Sequence, residues 1–304
     1  MSKAMPKLGW LRGAGLGAPG FTAEAPFFTE SWGLREVGRD AEGAVYLRGS
    51  GPEQYILSLH DRPVRGLAYV HFGVADKAAV DGFAAVAKAR GVTVAAAPRV
   101  LTAPGGGYAV DLVDREQRLI RLSADVASHA DTADEMDKPR KVTHVVLNTT
   151  DIDATRAWYE DMLEMKVSDW SEHQMVFLRC ALDHHSIALN AGAHASVNHI
   201  AFEMPSIDAQ MRGIGRMRGK GHSVGWGVGR HGPGNNTFSY FRGPQDFVIE
   251  YTAEVQQIDE TTHVPQVWPR VPHLMDRWGT AGPPPAEMRT AMAGTPDPGF
   301  SNAA

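Results

Sequence analysis

The chain has little cysteine, no marked charge imbalance and no long apolar run. Its single cysteine, Cys180, cannot form an internal disulfide, so no disulfide framework holds the fold. Against 35 Asp and Glu stand 30 Lys and Arg, a formal net charge of -5, which offers no electrostatic footprint for nucleic acid or an anionic membrane. No apolar stretch approaches the roughly 18 residues needed to span a bilayer. The start Met1-Ser2-Lys3-Ala4-Met5-Pro6-Lys7 also lacks the apolar core of a secretory signal. What these absences leave is a soluble globular protein of 304 residues, 43% of them hydrophobic. It is expected in the cytoplasm, working on small molecules, with no nucleic acid or membrane partner. A symmetric homo-oligomer is the default assembly.

Histidine is what the second half has in quantity: eight of the 13 histidines fall between His144 and Glu250. Three short runs give that concentration meaning. Val142-Thr143-His144-Val145-Val146-Leu147, Val197-Asn198-His199-Ile200-Ala201-Phe202 and Phe247-Val248-Ile249-Glu250-Tyr251 all read as half-buried strands. A carboxylate in such a run needs a partner, because burying it alone is expensive. Two neutral imidazoles and a carboxylate, His144, His199 and Glu250, suit a divalent cation with one face left open. That set points to non-haem Fe(II) and oxygen chemistry, with Mn(II) the alternative ion. A closed Zn(II) site is disfavoured, since no further Cys or His stands at finger spacing.

The two halves overlay with a shift of about 130 residues, the signature of an internal repeat. The helix expected over Asp153–Leu163 and the strand after it match Ala25–Trp32 and Gly33–Val37. The His199 strand matches Leu67–Val74, each followed by an amphipathic helix, Ile207–Arg218 and Ala78–Arg90. The closing strand Phe247–Glu254 matches Arg118–Asp125. At the positions of the three ligands the first half carries Gly13, Tyr69 and Arg121, which make no metal site, and His71 reads as a packed core histidine. The expected plan is therefore a structural module over 1–130, a catalytic metal-binding module over 141–255 and a tail over 256–304. The Asp-, Ala- and Lys-containing stretch 127–141 serves as linker.

Together with His185, His231 and Tyr240, these residues resemble the ligand and acid/base set of the type I extradiol catechol dioxygenases, in the vicinal oxygen chelate (glyoxalase/bleomycin resistance) superfamily. Tyr240-Phe241-Arg242-Gly243-Pro244-Gln245-Asp246-Phe247-Val248-Ile249-Glu250-Tyr251 is close to that family's C-terminal signature, and His185-Ser186-Ile187-Ala188-Leu189 to its short histidine strand. The resemblance implies an α+β fold of two tandem modules of paired βαβββ repeats. It also implies insertion of both atoms of O2 into a catechol beside its hydroxyls, giving a semialdehyde or keto acid, as in aromatic hydrocarbon catabolism. His185 would be the acid/base, with His184 its rival, since strand alternation would put the two on opposite faces. His231 and Tyr240 would hold the catecholate oxygens.

In relatives acting on carboxylated catechols the resemblance leads one to expect arginines where this chain has Leu274-Met275, and an amide where it has Val146. A neutral, alkyl- or aryl-substituted catechol is the expected substrate, with Arg277 the one residue placed to recruit a carboxylate. Two other functions fit the same modules: a non-oxidative metal-dependent isomerase or lyase, and a small-molecule binding protein without catalysis. Gly15–Gly20 is not a dinucleotide fingerprint, because Pro19 stands in it. The glycines of 227–236 read as a flexible loop delivering His231, the basic run Arg212–Lys220 as a solvated helix face, and Trp268 and Trp278 as tail aromatics packed over a module.

Overall fold

A computed structural model describes residues 5–130 and 132–300. Residues 1–4, linker residue Asp131 and residues 301–304 of the expected tail lie outside the described residues. The first half runs β1 (Leu8–Ala18), β2 (Arg35–Arg39), β3 (Val45–Arg48), β4 (Leu57–Asp61), β5 (Gly66–Val74), helix α1 (Lys77–Ala89), β6 (Val94–Val100), β7 (Tyr108–Val113) and β8 (Leu119–Ala124). The second half repeats it as β9 (Lys141–Thr149), α2 (Ile152–Leu163), β10 (Lys166–Ser171), β11 (Met175–Arg179), β12 (Ile187–Ala191), β13 (Ser196–Glu203), α3 (Ile207–Gly219), β14 (Trp226–Arg230), β15 (Thr237–Arg242) and β16 (Val248–Ala253).

Each half is one mixed sheet on the same plan. The orders are β2-β3-β4-β1-β5-β8-β7-β6 and β10-β11-β12-β9-β13-β16-β15-β14. In both, the two central strands are antiparallel neighbours, β1 with β5 and β9 with β13. The fold is thus α+β, four βαβββ units paired into two modules, as the repeat predicts. A difference lies at the first helix position: between β1 and β2 stand a 3-10 turn over Phe21–Glu24 and a π-helical turn over Phe27–Trp32, where the second half has a full α-helix. The three long helices each begin at a side-chain cap, Asp76, Asp151 or Ser206, that accepts the backbone N–H three residues on.

The central strands are buried on both faces. β5 is buried throughout, and β9, β13 and β16 are buried at nearly every position. The sequence led us to expect half-buried strands; the second face is covered because each sheet curls around its own interior while helices and the other half pack outside. One continuous core joins the halves. At its centre Trp32 stacks on Tyr251, with centroids 3.7 Å apart. Arg216, expected to be solvated, reaches into this joint instead, its Nε donating to the Ser31 carbonyl and its guanidinium pairing with Asp137. Beyond β16 the chain wraps back: β17 (Gln266–Trp268) pairs parallel to β10, a short helix α4 (Pro272–Met275) follows, and α5 (Ala286–Ala293) packs against β13. No described helix is long and apolar enough to cross a membrane.

Candidate metal centre

Strand pairing brings the three ligand candidates together. On β9 and β13, His199 stands opposite Val146 and Ala201 opposite His144, while Ala201 is in turn opposite Glu250 on β16. Their ligand atoms all lie within 4.8 Å of one another, and all three residues are buried. His144 Nε2 is 3.3 Å and His199 Nε2 3.2 Å from the same carboxylate oxygen, Glu250 Oε2. The other carboxylate oxygen, Oε1, and His199 Nε2 have no hydrogen-bond partner. A buried carboxylate oxygen and a buried imidazole nitrogen left unpaired are costly, and a cation between them satisfies both. Burial pushes the Glu250 carboxyl up, but the imidazoles of His144 and His199 outweigh it and hold it at about 2. Burial lowers His199, so at neutral pH a neutral nitrogen donor faces an anionic oxygen donor. Two histidines and one carboxylate around an open face form a divalent-metal site, suited to Fe(II) or Mn(II).

The matching place in the first half is filled differently. There Gly13 stands opposite His71, which is opposite Arg121, the register that in the second half runs His144, Ala201, Glu250. Arg121 forms a bidentate pair with Asp111 (2.8 and 2.9 Å) and lies over the Tyr69 ring. A fixed guanidinium thus occupies the position where the second half has its anionic ligand. His71 is buried and hydrogen-bonded to Ser123 Oγ at 2.7 Å.

Beside the ligands opens a cavity of about 390 Å³, within the usual range for a small-molecule site. His144, His199, His185, His231 and Tyr240 all line it, with Val146, Met175, Phe177, Trp226 and Met292 as apolar wall and Arg270 and Arg289 among the polar residues. The His185 ring lies 4.1 Å from that of His144, centroid to centroid. Its neighbour His184 turns to Asp169 (Nε2 to Oδ2, 3.1 Å), and the two histidines meet Nδ1 to Nδ1 at 3.1 Å. Because a carboxylate only accepts, His184 donates Nε2–H to Asp169 and offers a bare Nδ1, to which His185 donates. His185 Nε2 is then left as the free basic nitrogen. Burial and the neighbouring imidazoles hold His185 well below its ordinary value, so the ring is neutral.

Strand alternation does not separate His184 from His185. Both precede β12, which begins only at Ile187, and it is the hydrogen bonding of this irregular segment that gives each its direction. Across the cavity His231 donates Nδ1–H to the Met275 carbonyl (3.2 Å) and accepts the Tyr240 hydroxyl at Nε2 (3.0 Å). Burial, with the Glu250 charge nearby, raises Tyr240 well above its ordinary value and keeps its proton in place. The glycine stretch before His231 is partly strand: β14 extends to Arg230.

Other residues came into the site only with the fold. Asn148, Asn198 and Asn236 line the cavity, and Asp169 backs His184. Asn148 shares a strand face with His144 and Asn198 precedes His199, a signal that amides in apolar strands could have given. Of the tail aromatics, neither lines the cavity: Trp268 donates to Asp169 at 2.8 Å, and Trp278 lies under Arg230. Arg277 donates to Asn235 and is likewise not part of the lining.

The family profile of the Glyoxalase/Bleomycin resistance protein/Dioxygenase superfamily matches residues 141–251. Metapyrocatechase 2 of Cupriavidus necator is 31% identical over 133 residues, 43% of this chain and 40% of that protein. The 2,2',3-trihydroxybiphenyl dioxygenase of Sphingomonas paucimobilis is 28% identical over 139 residues, 41% of this chain and 47% of that one. The matches thus span less than half the length of these curated relatives. Among solved structures, the Mn(II)-bound glyoxalase from Novosphingobium aromaticivorans superposes with a TM-score of 0.87 at 36% identity, covering 93% of this chain and 94% of that one. Homoprotocatechuate 2,3-dioxygenase from Arthrobacter globiformis superposes with a TM-score of 0.82 over 92% of this chain and 90% of that one, at 20% identity, a likeness of fold.

Proposed function

Because the chain belongs to the glyoxalase/bleomycin resistance protein/dioxygenase superfamily, we propose that it is an extradiol ring-cleaving dioxygenase. It would use Fe(II), with Mn(II) the alternative, to insert both atoms of O2 into a catechol. The observation that carries this reading is the convergence of His185, His231 and Tyr240 on one cavity beside His144, His199 and Glu250. The ion, when bound, supplies acidification of the catechol hydroxyls and a conduit for electrons from the ring to O2.

The protein's own groups do the rest. His185 Nε2 takes the substrate proton and later returns it to the departing oxygen, a task for a neutral imidazole. In the free protein the Tyr240 hydroxyl gives its one proton to His231 Nε2; turned to a bound catechol it would donate that proton to a substrate oxygen instead, leaving His231 Nε2 free to accept from the substrate. The apolar wall of Val146, Met175, Phe177 and Trp226 excludes water and supports an alkyl- or aryl-substituted ring. In this reading the second module is catalytic, the first is its structural copy, and the whole acts as a cytoplasmic homo-oligomer.

A second reading is supported by the likeness to a Mn(II)-bound glyoxalase at 36% identity over nearly the whole chain: a non-oxidative enzyme using the ion only as a Lewis acid. Anaerobic loading with Fe(II) or Mn(II), then catechol or 3-methylcatechol in air, separates the two. Equimolar oxygen uptake with a yellow product is expected. Bound metal without uptake across several catechols favours the non-oxidative reading. Arg270 and Arg289 share the cavity, so turnover of 3-methylcatechol should be compared with that of 3,4-dihydroxyphenylacetate. A clear preference for the acid would refute the neutral substrate.

A further inference from the structure

We propose that Asn198 and Asn148 are positioning residues that fix the tautomer of the ligand His199, and that the end of α5 holds them in place. The inference rests on reading His144, His199 and Glu250 as metal ligands. It starts at the far end of the network. The Met292 and Ala293 carbonyls, at the C-terminus of α5, can only accept hydrogen bonds. Asn148 therefore presents its amide nitrogen to them, at 2.8 and 3.2 Å. Ser196 Oγ, which itself donates to the Ala293 carbonyl at 2.7 Å, accepts from the same nitrogen at 2.8 Å.

With its nitrogen so engaged, Asn148 turns its oxygen to the other side, where it accepts from Asn190 Nδ2 (2.8 Å) and Asn198 Nδ2 (3.0 Å). Asn198 is thereby oriented with its own oxygen toward His199, 2.7 Å from Nδ1. Nδ1 must carry the proton to make that bond, so in the neutral ring Nε2 is bare. This is the nitrogen that lies 3.2 Å from Glu250 Oε2 without a hydrogen-bond partner.

Each amide direction follows from the one before, and the first is set by backbone carbonyls that cannot reverse. Asn148 and Asn198 are buried and Met292 is half-buried, while Ala293 at the helix end is exposed, so the two amides next to His199 are the shielded part of the chain of bonds. A ligand histidine whose second nitrogen is held in this way needs no tautomer change or ring rotation to receive the ion. Outer partners of this kind are worth 10- to 100-fold in metal affinity. The wrapped tail is thus part of the metal site although it contributes no ligand.

The test is Mn(II) titration of the full-length apo chain, read by loss of the free-ion electron paramagnetic resonance signal. Asn198→Leu, of similar size without an acceptor, is expected to raise the Kd roughly 10- to 100-fold. Asn198→Asp still accepts the Nδ1 proton through either oxygen but loses the donor to Asn148, and should weaken binding less than Asn198→Leu. Asn148→Asp keeps the acceptor for Asn190 and Asn198 but cannot donate to the α5 carbonyls, and should also weaken binding. This variant carries the test should Asn198→Leu fail to fold. Equal affinity in wild type, Asn198→Leu and Asn148→Asp overturns the relay while leaving the metal site standing. Equal weakening by Asn198→Leu and Asn198→Asp also overturns it. Absence of Mn(II) binding by the wild type overturns the ligand assignment itself, and the relay with it.

Discussion

Replacing His185 with Gln removes the free basic nitrogen at the cavity while disturbing little else. The ring is buried at 3% exposure, packed between His144 and Phe177, and lies outside the three-ligand set. Gln is neutral, polar and of similar length, so the variant should fold and keep its metal. A positioned acid/base group is worth about 10² to 10⁴ in rate, or roughly 2.7–5.4 kcal/mol of barrier. His184→Gln should cost far less. That histidine acts through one hydrogen bond to His185, and a bond of this kind is worth about 0.5–1.5 kcal/mol, or roughly 2- to 13-fold. The assay is kcat from oxygen uptake at saturating catechol, with metal content measured on the same samples. A His185→Gln enzyme that keeps its metal and wild-type turnover refutes the reasoning. A His184→Gln defect larger than that of His185→Gln refutes the assignment of the free nitrogen.

Glu250→Ala should abolish stoichiometric metal binding, measured by elemental analysis after gel filtration, because the site loses its only anionic donor; retained metal would place the ion elsewhere. Trp32→Ala should destabilise the chain by about 3–5 kcal/mol, lowering an apparent Tm by roughly 5–8 °C. Its ring is fully buried on Tyr251, the residue after Glu250, and calorimetry with an unchanged Tm would contradict the joint described here. Asp111→Asn takes the charge partner and one of two acceptors from the half-buried Arg121 guanidinium and should cost about 1–3 kcal/mol at neutral pH. Burial pushes the Asp111 carboxyl up, but Arg121 and Arg99 hold it net below its ordinary 3.8. The wild-type advantage is therefore complete above that value and is lost as pH falls through the lowered native one. Urea midpoints of the two proteins should converge in acid below it, and a gap that stays constant there would exclude this pair as its source.

Much of the site was legible because its chemistry is written in local patterns. His144, His199 and Glu250 each interrupt an apolar strand, and a charged or metal-binding side chain in such a run stands out without any knowledge of the fold. The repeat was legible for a related reason: four βαβββ units need the same order of strand and helix, so the shift of about 130 residues survives even where Arg121 has replaced a carboxylate. The directions of His184 and His185 were not legible, since they lie outside the regular strand and answer to Asp169, 15 residues away.

Strand periodicity, the paired modules and the identity of the residues able to bind an ion are all carried by local residue patterns. The orientation of those residues comes from long-range packing. The stacking of Trp32 on Tyr251, the reach of Arg216 into the joint, and the return of the tail to Asn148 join residues 35 to 219 positions apart. Side-chain hydrogen bonds and ring contacts of that span have no periodicity. They exist only once the sheets have curled and the tail has closed over them, and the tautomer of a histidine or the direction of an amide is set by whichever donor or acceptor then lies within about 3 Å.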